Sequence, residues 1–470
     1  MAVMSAQRES VLRTIEERGI RFVRLWFTDV QGFLKSFSIT PAELDEAFED
    51  GLVFDGSVIQ GFARAQEADM LAVPDPATFE LLPWVGDGDV VSGRWSGATD
   101  RAEHATVARL FCDVRLPSGE PFAGDPRQVL RRNLDRARRH GFTLMAGPEM
   151  EFFVFRTPED ERRRSPELRA PDPIDGAGYF DQTATETTSM LRRKVISAIE
   201  AMGIPVEYSH HEIAPGQQEI DLRATDGLTM ADSIMTFRTV VKEVARSMGV
   251  HATFMPKPLT GVNGSGMHTH LTLFEGDQNA FADPNDPEGL SEVARRFIAG
   301  LLRHARAITA VTNPWVNSYK RLVPGYEAPV HICWARNNRS ALVRVPTLRR
   351  GRAEGTRLEY RAPDPACNPY LALAVILAAG LDGIEQGLPL PPEALDNLWE
   401  LDERERLALG YESLPASLLE AIDEMAGSEL VAEALGEHVF AHLLANKRAE
   451  WQEYAAHVSD FELDRLLDLL

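Results

Sequence analysis

The sequence is poor in cysteine, in basic residues relative to acidic ones, and in long apolar runs. Only three cysteines occur, Cys112, Cys333 and Cys367, and no two form a CxxC pair. That spacing excludes a disulfide scaffold and the usual structural zinc motifs, and it fits a reducing compartment. Lysine and arginine total 49 against 71 aspartates and glutamates, a formal net charge of −22 over 470 residues. Nucleic acid and anionic membranes need a basic footprint, so neither is expected as a partner. The longest apolar run, Tyr370 to Leu381, is too short to span a bilayer and reads as a buried core helix. The opening stretch MAVMSAQRESVLRTIEERG has no signal-peptide apolar region, which makes the cytoplasm the expected location. Also missing are a GxxxxGK[ST] loop and a GxGxxG turn opening a helix. Any nucleotide site must be of another type.

What is present is an ordinary globular composition, 44% hydrophobic and 26% charged. The length allows about three domains. Val11, Leu12 and Ile15 give a short amphipathic helix ending near Gly19. Arg21–Thr28 and Phe33–Ile39 read as strands joined by a turn at Asp29-Val30-Gln31-Gly32. Thr40-Pro41-Ala42-Glu43 has the form of a capping box, and Asp125-Pro126-Arg127-Gln128 opens a helix that Gly141 can end. Further strands are expected at Gly147–Phe155, Val206–Glu212, Glu219–Arg223 and Met267–Leu273, and long helices at Met230–Met248 and Ser291–Thr312. Arg156–Gly178 reads as a surface loop.

Four constellations carry chemistry. Glu149-Met150-Glu151 puts two carboxylates on one face of a strand, either a solvated face or a metal site. His210-His211-Glu212 and Glu219 flank a Pro215-Gly216 turn, which is also compatible with a plain polar hairpin. Asn263-Gly264-Ser265-Gly266 feeds a strand whose His268 and His270 share a face, with glycines that would admit a ligand close to the backbone. A lone HxH is weak evidence for zinc. Arg357-Leu358-Glu359-Tyr360-Arg361 places a glutamate between two arginines, with Arg321, Arg339 and Arg344 nearby in sequence. Oxygen-dominated ligand sets favour Mg²⁺ or Mn²⁺. Guanidinium groups beside such ions suit a polyphosphate, so phosphoryl transfer from a nucleotide is the chemistry expected. A metal-dependent hydrolase using His268 and His270, or a relative that has lost catalysis, are the competing readings.

Ten motifs in order then resemble the glutamine synthetase family in its bacterial form. They are FTDVQG (Phe27–Gly32), FDGS (Phe54–Ser57), GPEMEFF (Gly147–Phe153), HHE (His210–Glu212), PGQQE (Pro215–Glu219), FMPKP (Phe254–Pro258), NGSGMHTH (Asn263–His270), NSYKRLVPGYEAP (Asn317–Pro329), NRS (Asn338–Ser340) and RLEYRAPDPACNPY (Arg357–Tyr370). The resemblance implies an α+β fold with two domains. A small N-terminal β-grasp domain would occupy residues 19–116, and a large catalytic domain with an antiparallel sheet surrounded by helices residues 122–470. It also implies a homo-oligomer of two stacked rings, a dodecamer, with active sites between subunits. Two or more ions of Mg²⁺ or Mn²⁺ would bind per site. One would lie among Glu151, Glu212 and Glu219, the other among Glu149, His268 and Glu359. Asn263, Gly264, Arg321 and Arg361 would bind L-glutamate. Arg339 and Arg344 would face the transferred phosphate, and His270 and Arg357 the nucleotide side. Asp55, Glu327 and Arg339 would be catalytic, Asp55 reaching in from an adjacent subunit and Glu327 riding on a flap. Asp55, Val58, Tyr179, Glu212 and Glu327 would receive the amine. The implied reaction uses ATP to make γ-glutamyl phosphate, which ammonia or an amine then attacks.

Three departures bear on function. Ammonia-using members usually follow FDGS with a second serine, whereas this chain has Val58, which cannot accept a hydrogen bond from ammonium. Valine could instead pack against the carbon chain of a larger amine, or be simple drift. Asn397-Leu398-Trp399 replaces an NLY motif whose tyrosine is adenylylated in regulated members, so that control is expected to be absent. A lysine upstream of the RLEYR motif is replaced around Glu354. The segments Ile20–Ser36 and Ser428–Phe440 resemble actinobacterial secondary members, some of which ligate glutamate to polyamines. An organic amine such as putrescine, spermidine or ethanolamine, with little glutamine synthesis, is therefore the alternative acceptor.

Overall fold

The computed structural model describes residues 2–59, 69–83, 107–157, 171–182, 186–286, 289–347, 353–395, 398 and 400–470. Asn397 and Trp399, on which the adenylylation reading rests, lie outside the described residues, as does 158–170 of the expected loop.

The first helix, Ala2–Arg18, stops where Gly19 turns with φ 61°. Its Val11 and Ile15 join Val23, Leu25, Phe48 and Leu110 in a small apolar core. That core backs a six-stranded sheet. Its strands are β1 (Phe22–Thr28), β2 (Leu34–Ile39), β3 (Leu52–Asp55), β4 (Asp69–Pro74), β5 (Glu80–Leu81) and β6 (Val107–Arg115). The order is β2-β1-β6-β4-β3, with β5 also on β6, and only β1 and β6 run parallel. Thr40 departs from expectation. Its side chain makes no cap hydrogen bond, because Pro41–Glu43 form a 3₁₀ turn in which Glu43 N–H donates to the Thr40 carbonyl. The α-helix Leu44–Glu49 begins only afterwards.

Asp125 caps the next helix, Pro126–Arg139, accepting from Arg127 N–H, and Gly141 follows its end with φ 83°. Arg127 is buried and holds Asp75, Asp113 and Asp232 at 2.9, 2.5 and 2.8 Å, tying the small sheet to the helix Gly227–Ser247.

The second sheet has ten strands. They are β7 (Phe142–Arg156), β8 (Val206–His211), β9 (Gln217–Leu222), β10 (Thr225–Asp226), β11 (Val250–Thr253), β12 (Thr269–Glu275), β13 (Gln278–Asn279), β14 (His331–Ala335), β15 (Ala341–Arg344) and β16 (Leu358–Tyr360). The main path is β14-β15-β16-β12-β7-β9-β8. It is antiparallel as expected, except that β14 and β15 run parallel. β7 is longer than foreseen, and β12 starts two residues later, so that His268 precedes the strand. Both long helices are present, as Gly227–Ser247 and Glu292–Thr312.

The apolar run becomes the buried helix Pro369–Glu385, capped by Asn368. It meets Glu292–Thr312 backbone to backbone. A Cβ on Gly300 would lie 2.1 Å from the Ala379 carbonyl and 2.8 Å from Gly383 N. No side chain can relieve that clash. Gly300→Ala is expected to cost about 1–3 kcal/mol by overpacking, lowering the melting midpoint by several degrees. An unchanged midpoint would mean that the two helices can separate freely.

Candidate active site

Strand pairing places the acidic and imidazole groups in two rows. In the first, Glu151 on β7 stands opposite Glu219 on β9, which stands opposite His210 on β8. In the second, His270 on β12 stands opposite Glu359 on β16, which stands opposite Arg344 on β15. Glu149 shares the face of Glu151, two residues along β7, and links the rows. Its carboxylate accepts from His268 Nδ1 at 2.9 Å and His270 Nε2 at 2.8 Å.

These rows floor a cleft. Of the residues picked out from sequence, Glu149, Glu151, Tyr179, Glu212, Glu219, Asn263, Gly264, His268, Arg321, Glu327, Arg339, Arg344, Glu359 and Arg361 line it. His270 and Arg357 are not in that lining; Arg357 Nε donates to His270 Nδ1 at 3.2 Å. Asp55 and Val58 are elsewhere. Asp55 ends the edge strand β3, exposed, and its carboxylate accepts from Ser57 N–H and Oγ–H, both at 2.9 Å. Val58 is half-buried against a cluster of Phe27, Ile59 and Met70.

Ligand atoms converge in two groups that differ by one member each from the expected sets. Glu149, His270 and Glu359 offer atoms within 4.8 Å of one another, and so do His210, Glu212 and Glu219. His268 remains beside the first group, its Nδ1 3.8 Å from Glu359 Oε1. Glu151 sits beside the second. It accepts from Gln217 Nε2 at 2.8 Å and Gly266 N–H at 3.0 Å.

The electrostatics fit cations. Burial, and then repulsion from Glu212, raises the Glu151 carboxyl well above the usual range. Burial, and then Glu151, does the same to Glu219. Glu212 is raised by burial and by Glu327 across the cleft. Glu149 is the exception. Burial would raise it, but the two histidines more than offset this and hold it well below. His268 is pushed down by burial and by Arg361, leaving a neutral imidazole able to ligate. Carboxylates crowded this way, with oxygen predominating, match hard divalent ions.

Arginines line the same cleft. Buried Arg321 donates to the carbonyls of Ala362 at 2.7 Å and Arg361 at 3.2 Å. The Gly-rich loop serves it: a Cβ on Gly266 would lie 2.6 Å from Arg321 Nη2. These glycines make room for a guanidinium, a role the spacing alone did not reveal. Arg344 pairs with Glu359, and Arg361 Nη1 lies 3.6 Å from the same carboxylate. The pKa of the Tyr179 hydroxyl is raised by burial and then by Glu212, with Arg339 opposing.

Several lining residues were not assigned a role from sequence: Phe180, Tyr208, His210, Gln217, Gly266, Tyr326 and Ala328. His210 was visible in the HHE motif. Its place beside Glu219 follows from cross-strand register, which a single strand does not display.

Two family models match this chain: the glutamine synthetase β-grasp domain over residues 19–117 and the glutamine synthetase catalytic domain over 123–466. The glutamine synthetase of Mycolicibacterium smegmatis is 55% identical over 467 residues, covering 99% of this chain and 100% of that one. The glutamine synthetase of Thermotoga maritima is 48% identical over 461 residues, covering 98% and 99%. A solved structure named "GmaS/ADP complex-Conformation 1" superposes with a TM-score of 0.84 at 33% identity, covering 97% of this chain and 99% of that one. No helix among the described residues is long and apolar enough to cross a membrane. With both family models matched and full-length relatives near half identical, the chain belongs to the glutamine synthetase family of ATP-dependent ligases.

Proposed function

We propose that this enzyme joins the γ-carboxylate of L-glutamate to an amine nitrogen through γ-glutamyl phosphate. The observation that carries the reading is the convergence of two carboxylate–imidazole groups and several arginines on one cleft. A carboxylate is a poor electrophile, and phosphorylation supplies its leaving group. Divalent ions held by Glu149, His270 and Glu359 and by Glu212, Glu219 and Glu151, with His268 and His210 at hand, would screen the phosphate oxygens. Arg321, Arg361, Asn263 and Gly264 bind glutamate. Arg339 and Arg344 offset charge on the phosphoryl group as it moves. Tyr179, Glu212 and Glu327 receive the amine. The positive φ of Glu327, 57°, marks a segment held in an uncommon conformation. This segment excludes water from the acyl phosphate.

Asp55 takes the proton of the incoming amine in a neighbouring copy's cleft. Its exposure at the edge of β3, away from its own chain's cleft, supports that role and a double-ring assembly. Val58 favours a second reading, an organic amine acceptor in place of ammonia, because an apolar side chain follows Asp55 and Ser57 there. The relatives named glutamine synthetase favour ammonia.

Two outcomes are expected. Mn²⁺ affinity, titrated calorimetrically, should rise with pH. The raised carboxyls Glu151 and Glu219 hold protons at low pH that the ion must displace, about tenfold per pH unit for each proton. Affinity that does not change with pH would contradict it. Phosphate release with ATP, Mg²⁺ and glutamate should be compared across ammonia, methylamine, ethanolamine, putrescine and spermidine. On the organic-amine reading Val58→Ser gains ammonia activity by about tenfold, on the order of one hydrogen bond. An unchanged profile with ammonia already preferred assigns Val58 to packing and glutamine synthesis to the enzyme.

A further inference from the structure

One lysine near the cleft points its charge at a ring instead of an acid. Lys257, half-buried, belongs to none of the metal, glutamate or phosphate sets above. Its ammonium donates to the Val262 carbonyl and sits 3.9 Å from the centroid of Tyr326. Among the described residues no carboxylate pairs with it. Its backbone is pinned on both sides. Lys257 N–H donates to Asn317 Oδ1 at 2.7 Å, and Asn317 Nδ2 donates back to the Lys257 carbonyl at 3.0 Å. Asn317 leads into the short helix Ser318–Arg321, which carries Arg321.

Lys257 therefore touches three segments of the cleft wall. Val262 precedes Asn263 and Gly264, Asn317 precedes Arg321, and Tyr326 precedes Glu327. The first is held by the Lys257 ammonium on the Val262 carbonyl, the second by the Asn317 side-chain amide on the Lys257 backbone. The third is held differently: the segment from Pro324 to Pro329 turns through Gly325 at φ 93° and Glu327 at φ 57°. A cation over a ring face attracts without demanding one orientation, which suits a segment that must also admit substrate.

We propose that Lys257 is a positioning residue that holds Tyr326, and through it Glu327, over the cleft during reaction. The inference rests on the preceding reading of γ-glutamyl phosphate guarded by Glu327. In the productive step the amine nitrogen attacks the acyl carbon, the bond to the phosphate oxygen breaks, phosphate leaves with the electron pair, and the nitrogen sheds one proton. Water attacking instead returns glutamate and phosphate, and one ATP is lost. Loss of the Lys257–Tyr326 contact should let water in without weakening glutamate capture, since Arg321 stays pinned by the carbonyls of Ala362 and Arg361.

The test is the ratio of ADP to γ-glutamyl amide formed by the full-length enzyme, with the amine that the wild type uses best. The wild type should give a ratio near one. Lys257→Met should raise it about three- to tenfold, with ADP formation and the glutamate KM each within about twofold. Lys257→Arg, which keeps a cation over the ring, should restore coupling. Tyr326→Leu, at a half-exposed position where folding is not at stake, should raise the ratio by the same factor. The double variant should be no worse than either single one. Full coupling in both Lys257→Met and Tyr326→Leu overturns the proposal, as does a raised glutamate KM with the ratio unchanged, which would make Lys257 a support of the Asn263 loop only. Glu327→Ala separates the two levels. If it leaks while the Lys257 and Tyr326 variants stay coupled, the Lys257 role alone fails. If it stays coupled, the guarding role of Glu327 fails and the proposal falls with it.

Discussion

The constraint on which the structure turns is the crowding of carboxylates on one face of the larger sheet. Glu149, Glu151, Glu219 and Glu359 come from three strands, and Glu212 from the residue after a fourth. Each would be costly to bury as an isolated anion. Register makes the cost unavoidable, because an antiparallel ladder sets Glu151 directly against Glu219. The structure offsets part of it locally: two imidazoles on Glu149, the Gly266 amide and Gln217 on Glu151, Arg344 and Arg361 on Glu359. The remainder, concentrated at Glu151 and Glu219, is what a divalent ion would relieve. Metal affinity and fold stability are thus two views of one electrostatic debt.

A sheet carrying such charges needs a stiff back. The helices Glu292–Thr312 and Pro369–Glu385 approach to backbone contact through Gly300 and Gly383, and Arg127 clamps three aspartates between the small sheet and the helix Gly227–Ser247. Among the described residues the small sheet contributes none to its own chain's cleft. Its Asp55 is exposed at the end of β3, apart from that cleft.

How much of this was legible in the sequence depends on the range of the interaction. Period-two alternation is local, and it disclosed Glu149 with Glu151 on one face. Caps and left-handed glycines are local too, and Asp125, Gly19 and Gly141 behave as read. Thr40 misled because a 3₁₀ turn satisfies the same backbone groups that a capping box would. Non-local geometry stayed hidden. Nothing in the spacing says that His210 faces Glu219, that Gly266 exists to let Arg321 pass, or that Lys257 meets Tyr326 across some seventy residues. The resemblance supplied the site's membership, and only the folded sheet gave the pairings.

The central claim is that ATP phosphorylates the γ-carboxylate of glutamate before nitrogen attacks. It is tested most directly with glutamate labelled with ¹⁸O in both γ-carboxylate oxygens. In the acyl-phosphate route the oxygen bridging carbon and phosphorus leaves with phosphate, so mass spectrometry of the released phosphate should find one ¹⁸O per molecule. Phosphate free of label, formed at the same rate as the amide, would contradict the account.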